Sequence, residues 1–118
     1  VATNEPERQR WNDERWAAVW PKREALTDAV TAFLLDAAAL AAGERVLDVG
    51  CGGGRSSLRA ATAVGAQGAV VGADLSQPIT ALAQRRAAEL GVENVTFRLA
   101  DMQADTVAGG PFDVALSQ

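Results

Sequence analysis

The chain has 118 residues, a formal net charge of −4, one cysteine and no histidine. That length holds one domain with a modest core, and the acidic balance argues against a general nucleic-acid surface. A lone cysteine excludes an internal disulfide and fits a reducing, cytoplasmic setting. With no histidine and no cysteine cluster there is no imidazole base and no zinc site, and no apolar run reaches membrane-spanning length.

Taken in order, residues Val1 to Gln9 are polar and charged and read as a frayed arm. Trp11 to Trp20 is dense in tryptophan and charge and reads as helical. Trp16 and Trp20 share a face of that helix and Trp11 points elsewhere. These rings either anchor the arm to the core or form a lid over a pocket. Pro21 restarts the chain. Lys22 to Ala42 then reads as one helix with Leu26, Val30, Phe33, Leu34 and Ala37 on its buried stripe, and Gly43 as its left-handed stop.

Strands and helices alternate from there. Arg45–Val49 is the first expected strand, and a helix follows from about Ser56 to Val64, ended by Gly65. Ala69–Asp74 is the second strand. Ser76 caps a helix that runs to Leu90, with Pro78 tolerated in its first turn and Ile79, Leu82 and Leu90 on its buried face; Gly91 stops it. Val95–Leu99 is the third strand. A Gly109-Gly110-Pro111 loop leads to a fourth, Phe112–Leu116. Alternating βα units imply a parallel sheet with right-handed crossovers.

The densest signal lies between the first strand and its helix. Val46-Leu-Asp-Val-Gly-Cys-Gly-Gly-Gly54 places glycines at 50, 52 and 54, so the backbone can turn tightly and a ligand can approach without a Cβ in the way. The helix that follows offers N–H groups and a positive dipole end. A plain turn is the bland alternative. The dinucleotide fingerprint needs a third glycine where Arg55 stands, and no Gly-Lys-Ser/Thr follows for a phosphate loop. A nucleoside cofactor without a pyrophosphate is the reading left. Asp74 falls about 20 residues beyond the turn, where a carboxylate meets ribose hydroxyls in such folds; taken alone, it is equally a residue beside the Ser76 cap. Cys51, the only cysteine, has a nucleophile reading and a simpler one as a small residue in a crowded turn.

Val46 to Gly54 resembles the first motif of the class I S-adenosylmethionine-dependent methyltransferases. The tryptophan-rich arm and long helix look most like their small-molecule, ubiquinone/menaquinone-type branch. The resemblance implies a Rossmann-like α/β fold, an open parallel sheet flanked by helices with an N-terminal helical arm. It also implies S-adenosylmethionine as cofactor and a small-molecule methyl acceptor. Gly50 and Gly52 would meet the methionine part through backbone, with Asp48 orienting the loop or meeting the amino group, and Cys51 and Gly54 completing the loop. Asp74 would take the ribose, Asp101 the adenine amine, and Leu75 and Met102 the ring faces. Ser117 would sit near the methyl group. No residue stands out as a general base. An NAD-dependent oxidoreductase fragment is the weaker enzyme reading, opposed by Arg55 and by Asp101-Met102.

The family sheet has seven strands in the order 3-2-1-4-5-7-6, and this chain supplies only 3-2-1-4. The expectation is therefore an arm (1–20) and a cofactor-binding domain (21–118) truncated after its fourth strand. The bare edge of that strand would pair with a second copy or another chain, or the chain is a fragment of a longer product. A non-catalytic cofactor-binding module, acting only through a partner, is the reading from a different class.

Overall fold

The computed structural model describes residues 4–118. Its elements are α1 (Glu5–Trp11), α2 (Arg15–Leu26), α3 (Asp28–Ala38), β1 (Arg45–Val49), α4 (Arg55–Val64), β2 (Ala69–Asp74), α5 (Gln77–Leu90), β3 (Val95–Leu99) and β4 (Val114–Ser117). The four strands form one parallel sheet in the order β3-β2-β1-β4. This is the expected α/β arrangement, with helices flanking the sheet and a helical arm ahead of it.

The signals that set β1 to β3 are local, and these strands keep their expected bounds. Both crossovers step the same way across the sheet, so a common hand puts α4 and α5 on one face. There Ala60, Ala61 and Val64 of α4 and Ala83 and Ala87 of α5 meet Val46, Val70, Val95, Phe97 and Leu116 in one core. Small residues on the helices and β-branched or aromatic ones on the strands let the two layers approach closely. The Ser76 hydroxyl caps α5 by accepting from the Ile79 N–H, and Gly91 ends it in the left-handed conformation. Ile79 is buried, but Leu82 is only half-buried and Leu90 is exposed, because the alanines of α5 make the close contact. The fourth strand begins at Val114 rather than Phe112. Asp113 belongs to the turn before it, where its N–H donates to the Arg45 carbonyl and its carboxylate accepts from the Arg45 N–H, both at 2.8 Å. Among the described residues, the outer edge of β4 pairs with nothing.

The N-terminal third departs further from expectation. Residues 1–3 of the expected frayed arm lie outside the described residues, but Glu5–Trp11 is a helix. The single helix expected over Trp11–Trp20 is interrupted by a turn at residues 12–14. That turn folds Trp11 back, so it packs on Trp16 and Trp20 with ring centroids 4.8 and 6.4 Å away, rather than pointing elsewhere. Pro21 does not restart the chain; it lies inside α2. Proline removes one helical hydrogen bond, and the contacts of Trp16, Trp20 and Glu24 carry the helix through the gap.

Thr27 (φ −109°, ψ 9°) then splits the expected Lys22–Ala42 helix into α2 and α3. The split shifts the helical phase. Leu26, Val30 and Phe33, expected in the core, are 87, 54 and 76% exposed, and Ala37 is exposed too. Leu34 alone of the expected stripe packs on the core, joined by Leu35 and Ala38. The left-handed stop falls at Ala39 (φ 47°), while Gly43 (φ 86°) makes the next turn and donates its N–H to the Val64 carbonyl.

Candidate functional site

The carboxyl ends of parallel strands are where an open α/β sheet binds ligands, because loops diverge there and helix N-termini point inward. In this chain the ends of β1, β2 and β3 open into a single cavity of about 700 Å³.

Its floor is the glycine turn. Gly50, Gly52 and Gly54 all have positive φ, which L-residues adopt only at a cost of about 1–2 kcal/mol. The turn is pinned at both sides. Gly50 N–H and Cys51 N–H donate to the Ala73 carbonyl, and Gly54 N–H donates to the Cys51 carbonyl. A Cβ on Gly50 would meet nothing within 4 Å, so open space borders the turn there. At Gly54 the opposite holds: a Cβ would stand 2.8 Å from the Phe97 ring. Gly54 therefore does not line the cavity; it lets the start of α4 press against β3.

Asp74, at the end of β2, spans the crevice between β1 and β2. One of its oxygens accepts from Gly52 N–H and the other from Ser76 N–H, both at 2.9 Å. A carboxylate has about four lone-pair sites, so each oxygen keeps acceptor capacity on the cavity side. Asp101, just past β3, is held in the same way: Oδ1 accepts from Gln103 N–H at 3.0 Å and Oδ2 from the Arg8 guanidinium at 3.3 Å. Leu75, Met102 and Ile79 give the wall between these carboxylates its apolar surface.

Of the residues expected at the site, Gly50, Cys51, Gly52, Asp74, Leu75, Asp101 and Met102 line this cavity. Asp48, Gly54 and Ser117 do not. Asp48 lies beneath the turn, buried, and its Oδ2 accepts from the Ser56 and Ser57 hydroxyls at 2.6 and 2.7 Å. Burial pushes its carboxyl above the ordinary range; the two hydroxyls pull the other way, and the charge of Asp74 adds to the rise. The side chain braces the turn against α4. The Ser117 hydroxyl donates to the Val49 carbonyl at 3.1 Å, and the next residue, Gln118, reaches the cavity instead. Burial and the nearby charges of Asp48 and Asp74 push the Cys51 thiol well up. A thiol so held stays protonated and is a poor nucleophile, which favours the small-residue reading of Cys51.

The roof of the cavity is the arm, and the sequence reading missed most of it. Trp20 lies against Gly52 and Gly53, and Trp11 and Trp20 both line the cavity. The Ser76 hydroxyl donates to the Trp11 carbonyl. The Asn12 side chain accepts from Gln77 N–H at 2.8 Å and donates to the Leu75 carbonyl at 3.3 Å. The anchor and lid readings of the tryptophans thus describe one arrangement. Glu24, buried on α2, pairs with Arg86 of α5, whose Nη1 also donates to the Gly53 carbonyl at 2.9 Å. This chain of contacts fixes the turn from above. Only the Trp16–Trp20 spacing was visible locally, since Glu24 and Arg86 are 62 residues apart.

A family described as "Methyltransferase domain" matches residues 40–118, the span that contains all four strands and the glycine turn. The chain belongs to the methyltransferase domain family. Aklanonic acid methyltransferase DauC of Streptomyces sp. (strain C5) is 35% identical over 83 residues, 70% of this chain and 38% of that protein. Nocamycin O-methyltransferase of Saccharothrix syringae is 41% identical over 81 residues, covering 69% and 29%. A solved protein-L-isoaspartate O-methyltransferase superposes with a TM-score of 0.70 at 31% identity, over 76% of this chain and 28% of that one. This methyltransferase domain thus spans well under half the length of these three relatives. Among the described residues no helix is long and apolar enough to cross a membrane, and no three acidic or thiol side chains gather to hold a metal ion.

Proposed function

We propose that this chain binds S-adenosylmethionine and forms the cofactor half of a methyltransferase that acts on a small molecule. The observation that carries the reading is the placing of Asp74 and Asp101 at the ends of adjacent strands, facing one cavity whose floor is the glycine turn. The cofactor's adjacent ribose hydroxyls are donors, and so is its adenine amine. The carboxylates offer acceptors in that order from the turn, with Leu75 and Met102 between them for the ring. Open space above Gly50 accommodates the remainder of the cofactor.

The bound cofactor supplies an activated methyl on a sulfonium. The protein's part is to hold it, exclude water and bring an acceptor in line. Gly52 N–H and Ser76 N–H hold the Asp74 carboxylate in place, and Trp11 and Trp20 roof the cavity against solvent. A small-molecule acceptor is supported by the relatives named for aklanonic acid and nocamycin. The narrower quinone-type placement rests on the tryptophan-rich arm and the Val46–Gly54 pattern. We assign residues 1–20 to the cover and 21–118 to the binding domain.

The unpaired edge of β4 favours a second reading, in which the same cofactor site works only when another chain or a second copy adds to the sheet. Calorimetric titration of S-adenosylhomocysteine, with Asp74→Ala as control and NAD as competitor, tests the cofactor claim common to both. Micromolar binding that is lost in the variant and resists NAD is expected. Folded protein that ignores S-adenosylhomocysteine, or prefers NAD, would contradict it.

A further inference from the structure

The two carboxylates at the strand ends are not equally accessible. Asp74 is half-buried, and among the described residues only backbone N–H groups hold it, those of Gly52 and Ser76. Asp101 is 4% exposed, and the backbone holds only its Oδ1, through Gln103 N–H. Its Oδ2, the oxygen that the backbone leaves to a ligand, carries a donor from the arm instead, the Arg8 guanidinium. A buried carboxylate needs a compensating donor, and here Arg8 supplies it.

The contact is made so that it can let go. The Arg8 side chain is 44% exposed and reaches Asp101 through a single nitrogen at 3.3 Å, not through the two-pronged grip that a guanidinium can give. An ion pair with one partner this exposed is weak. Glu5 lies three residues back on the same helix, with its carboxylate in solvent, where it can receive the guanidinium once that leaves Asp101. The helix itself is tethered in the same way. No residue of α1 is buried. Its firm contacts are at its carboxyl end: the Trp11 carbonyl accepts from Ser76, the Trp11 ring packs on Trp16 and Trp20, and Asn12 bonds to Leu75 and Gln77. Between Glu5 and Arg10, among the described residues, Arg8 is the one side chain bonded outside the arm. Without that bond α1 keeps a hinge at Trp11 and loses its latch. Asn4 and Glu7, toward its other end, line the cavity.

We propose that Arg8 is an internal competitor for Asp101: it occupies the oxygen that the cofactor's adenine amine would take, and cofactor binding unlatches α1. The proposal rests on the cofactor reading above. Arg8 has to step aside, because an Asp101 that is only 4% exposed gives a second donor no approach while the guanidinium is in place. The contact then has two effects. It lowers the apparent affinity for any ligand that needs Asp101, according to the fraction of time that Arg8 holds it. It also ties occupancy of the adenine end to the freedom of α1 over the cavity.

The test compares S-adenosylhomocysteine with S-inosylhomocysteine, in which an oxo group stands where the amine was, on the whole chain and on its Arg8→Ala variant. Binding is read by calorimetry. Removing the competitor is expected to tighten S-adenosylhomocysteine by about two- to fivefold, the range that a weak ion pair can withhold. S-inosylhomocysteine brings no amine to Asp101 and should not tighten. Arg8→Met keeps the apolar stem without the donors; it should behave as Arg8→Ala does, and it serves if the alanine variant loses the arm. In a second measurement, trypsin should cut wild-type α1 after Arg8 or Arg10 faster when S-adenosylhomocysteine saturates the site. Equal tightening of both ligands would mean that the arm at large obstructs the cavity. No tightening of either would mean that Arg8 does not compete, and cutting that is unchanged or slower in the complex would mean that α1 stays latched. Each of these overturns the proposal and, where wild-type protein binds S-adenosylhomocysteine, leaves the cofactor reading standing. Wild-type protein that binds neither ligand would sink the cofactor reading and this one with it.

Discussion

The stretch from Arg45 to Asp101 and the arm from Asn4 to Leu40 build opposite sides of one cavity by different means. In the first, each element is set by neighbours in sequence: β-branched residues make the strands, glycines the turns, Ser76 the cap. In the arm, the elements are set by partners far along the chain. Arg8 meets Asp101, Asn12 meets Leu75 and Gln77, and Glu24 meets Arg86. The difference teaches that the floor of this site is a property of local sequence, whereas its roof exists only once the sheet has formed beneath it.

If that contrast is right, damage to the floor should cost the fold, and damage to the roof should free the arm and spare the sheet. The largest effect is expected for Gly54→Val, which adds a positive-φ penalty to a collision with Phe97 and Ala83. About 4 kcal/mol or more should be lost in urea unfolding. Gly50→Ala keeps the backbone penalty without the collision and should cost only about 1–2 kcal/mol. Equal losses at the two positions would remove packing from the account of the turn.

Trp20→Ala comes next. Full burial of such a ring is worth about 3–5 kcal/mol on truncation, and Trp20 is half-buried, so about 2 kcal/mol is expected. Hydrogen exchange should show α1 and α2 losing protection while β1 to β3 keep theirs. Simultaneous loss in both regions would erase the distinction between floor and roof. Arg8→Ala should cost about 1 kcal/mol at most, because the Arg8 side chain is 44% exposed and its bond to Asp101 is long. Proteolysis within residues 4–14 is the sensitive readout.

The smallest effect at any single pH is a slope. The Asp48 carboxyl is raised in the folded state above its ordinary value of 3.8. The folded chain therefore holds that proton more tightly than the unfolded chain. The stability it contributes is present below the unfolded value and is lost as pH rises through the raised one. Asp48→Asn removes this loss while its carbonyl oxygen can still accept from Ser56 and Ser57. The stability of the variant relative to wild type should climb with pH across that window, and a flat difference would mean that Asp48 titrates alike in both states.

These distinctions also explain what was readable in the sequence. β1 to β3 and α5 with its Ser76 cap follow from periodicity and punctuation, whereas the order of the sheet comes from the resemblance to the methyltransferase family. The gathering of Gly50, Gly52, Asp74 and Asp101 at the strand ends also follows from the pattern, since alternation along the chain dictates it. The break at Thr27 carries no glycine or proline, and a stripe that looks continuous across it turned three large apolar residues outward. Pro21 looked like a boundary because the contacts that hold α2 together around it are tertiary. Glu24 and Arg86 looked like ordinary surface charges until α2 and α5 were brought together over Gly53.

The most direct test is to follow backbone amides and indole N–H groups by NMR as S-adenosylhomocysteine is added to the chain. The account predicts shifts at Gly50, Gly52, Leu75 and Met102 together with the Trp11 and Trp20 indoles, floor and roof moving in one saturable event. Shifts confined to the β4 edge or to the outer faces of α4 and α5, or none in a folded protein, would contradict it.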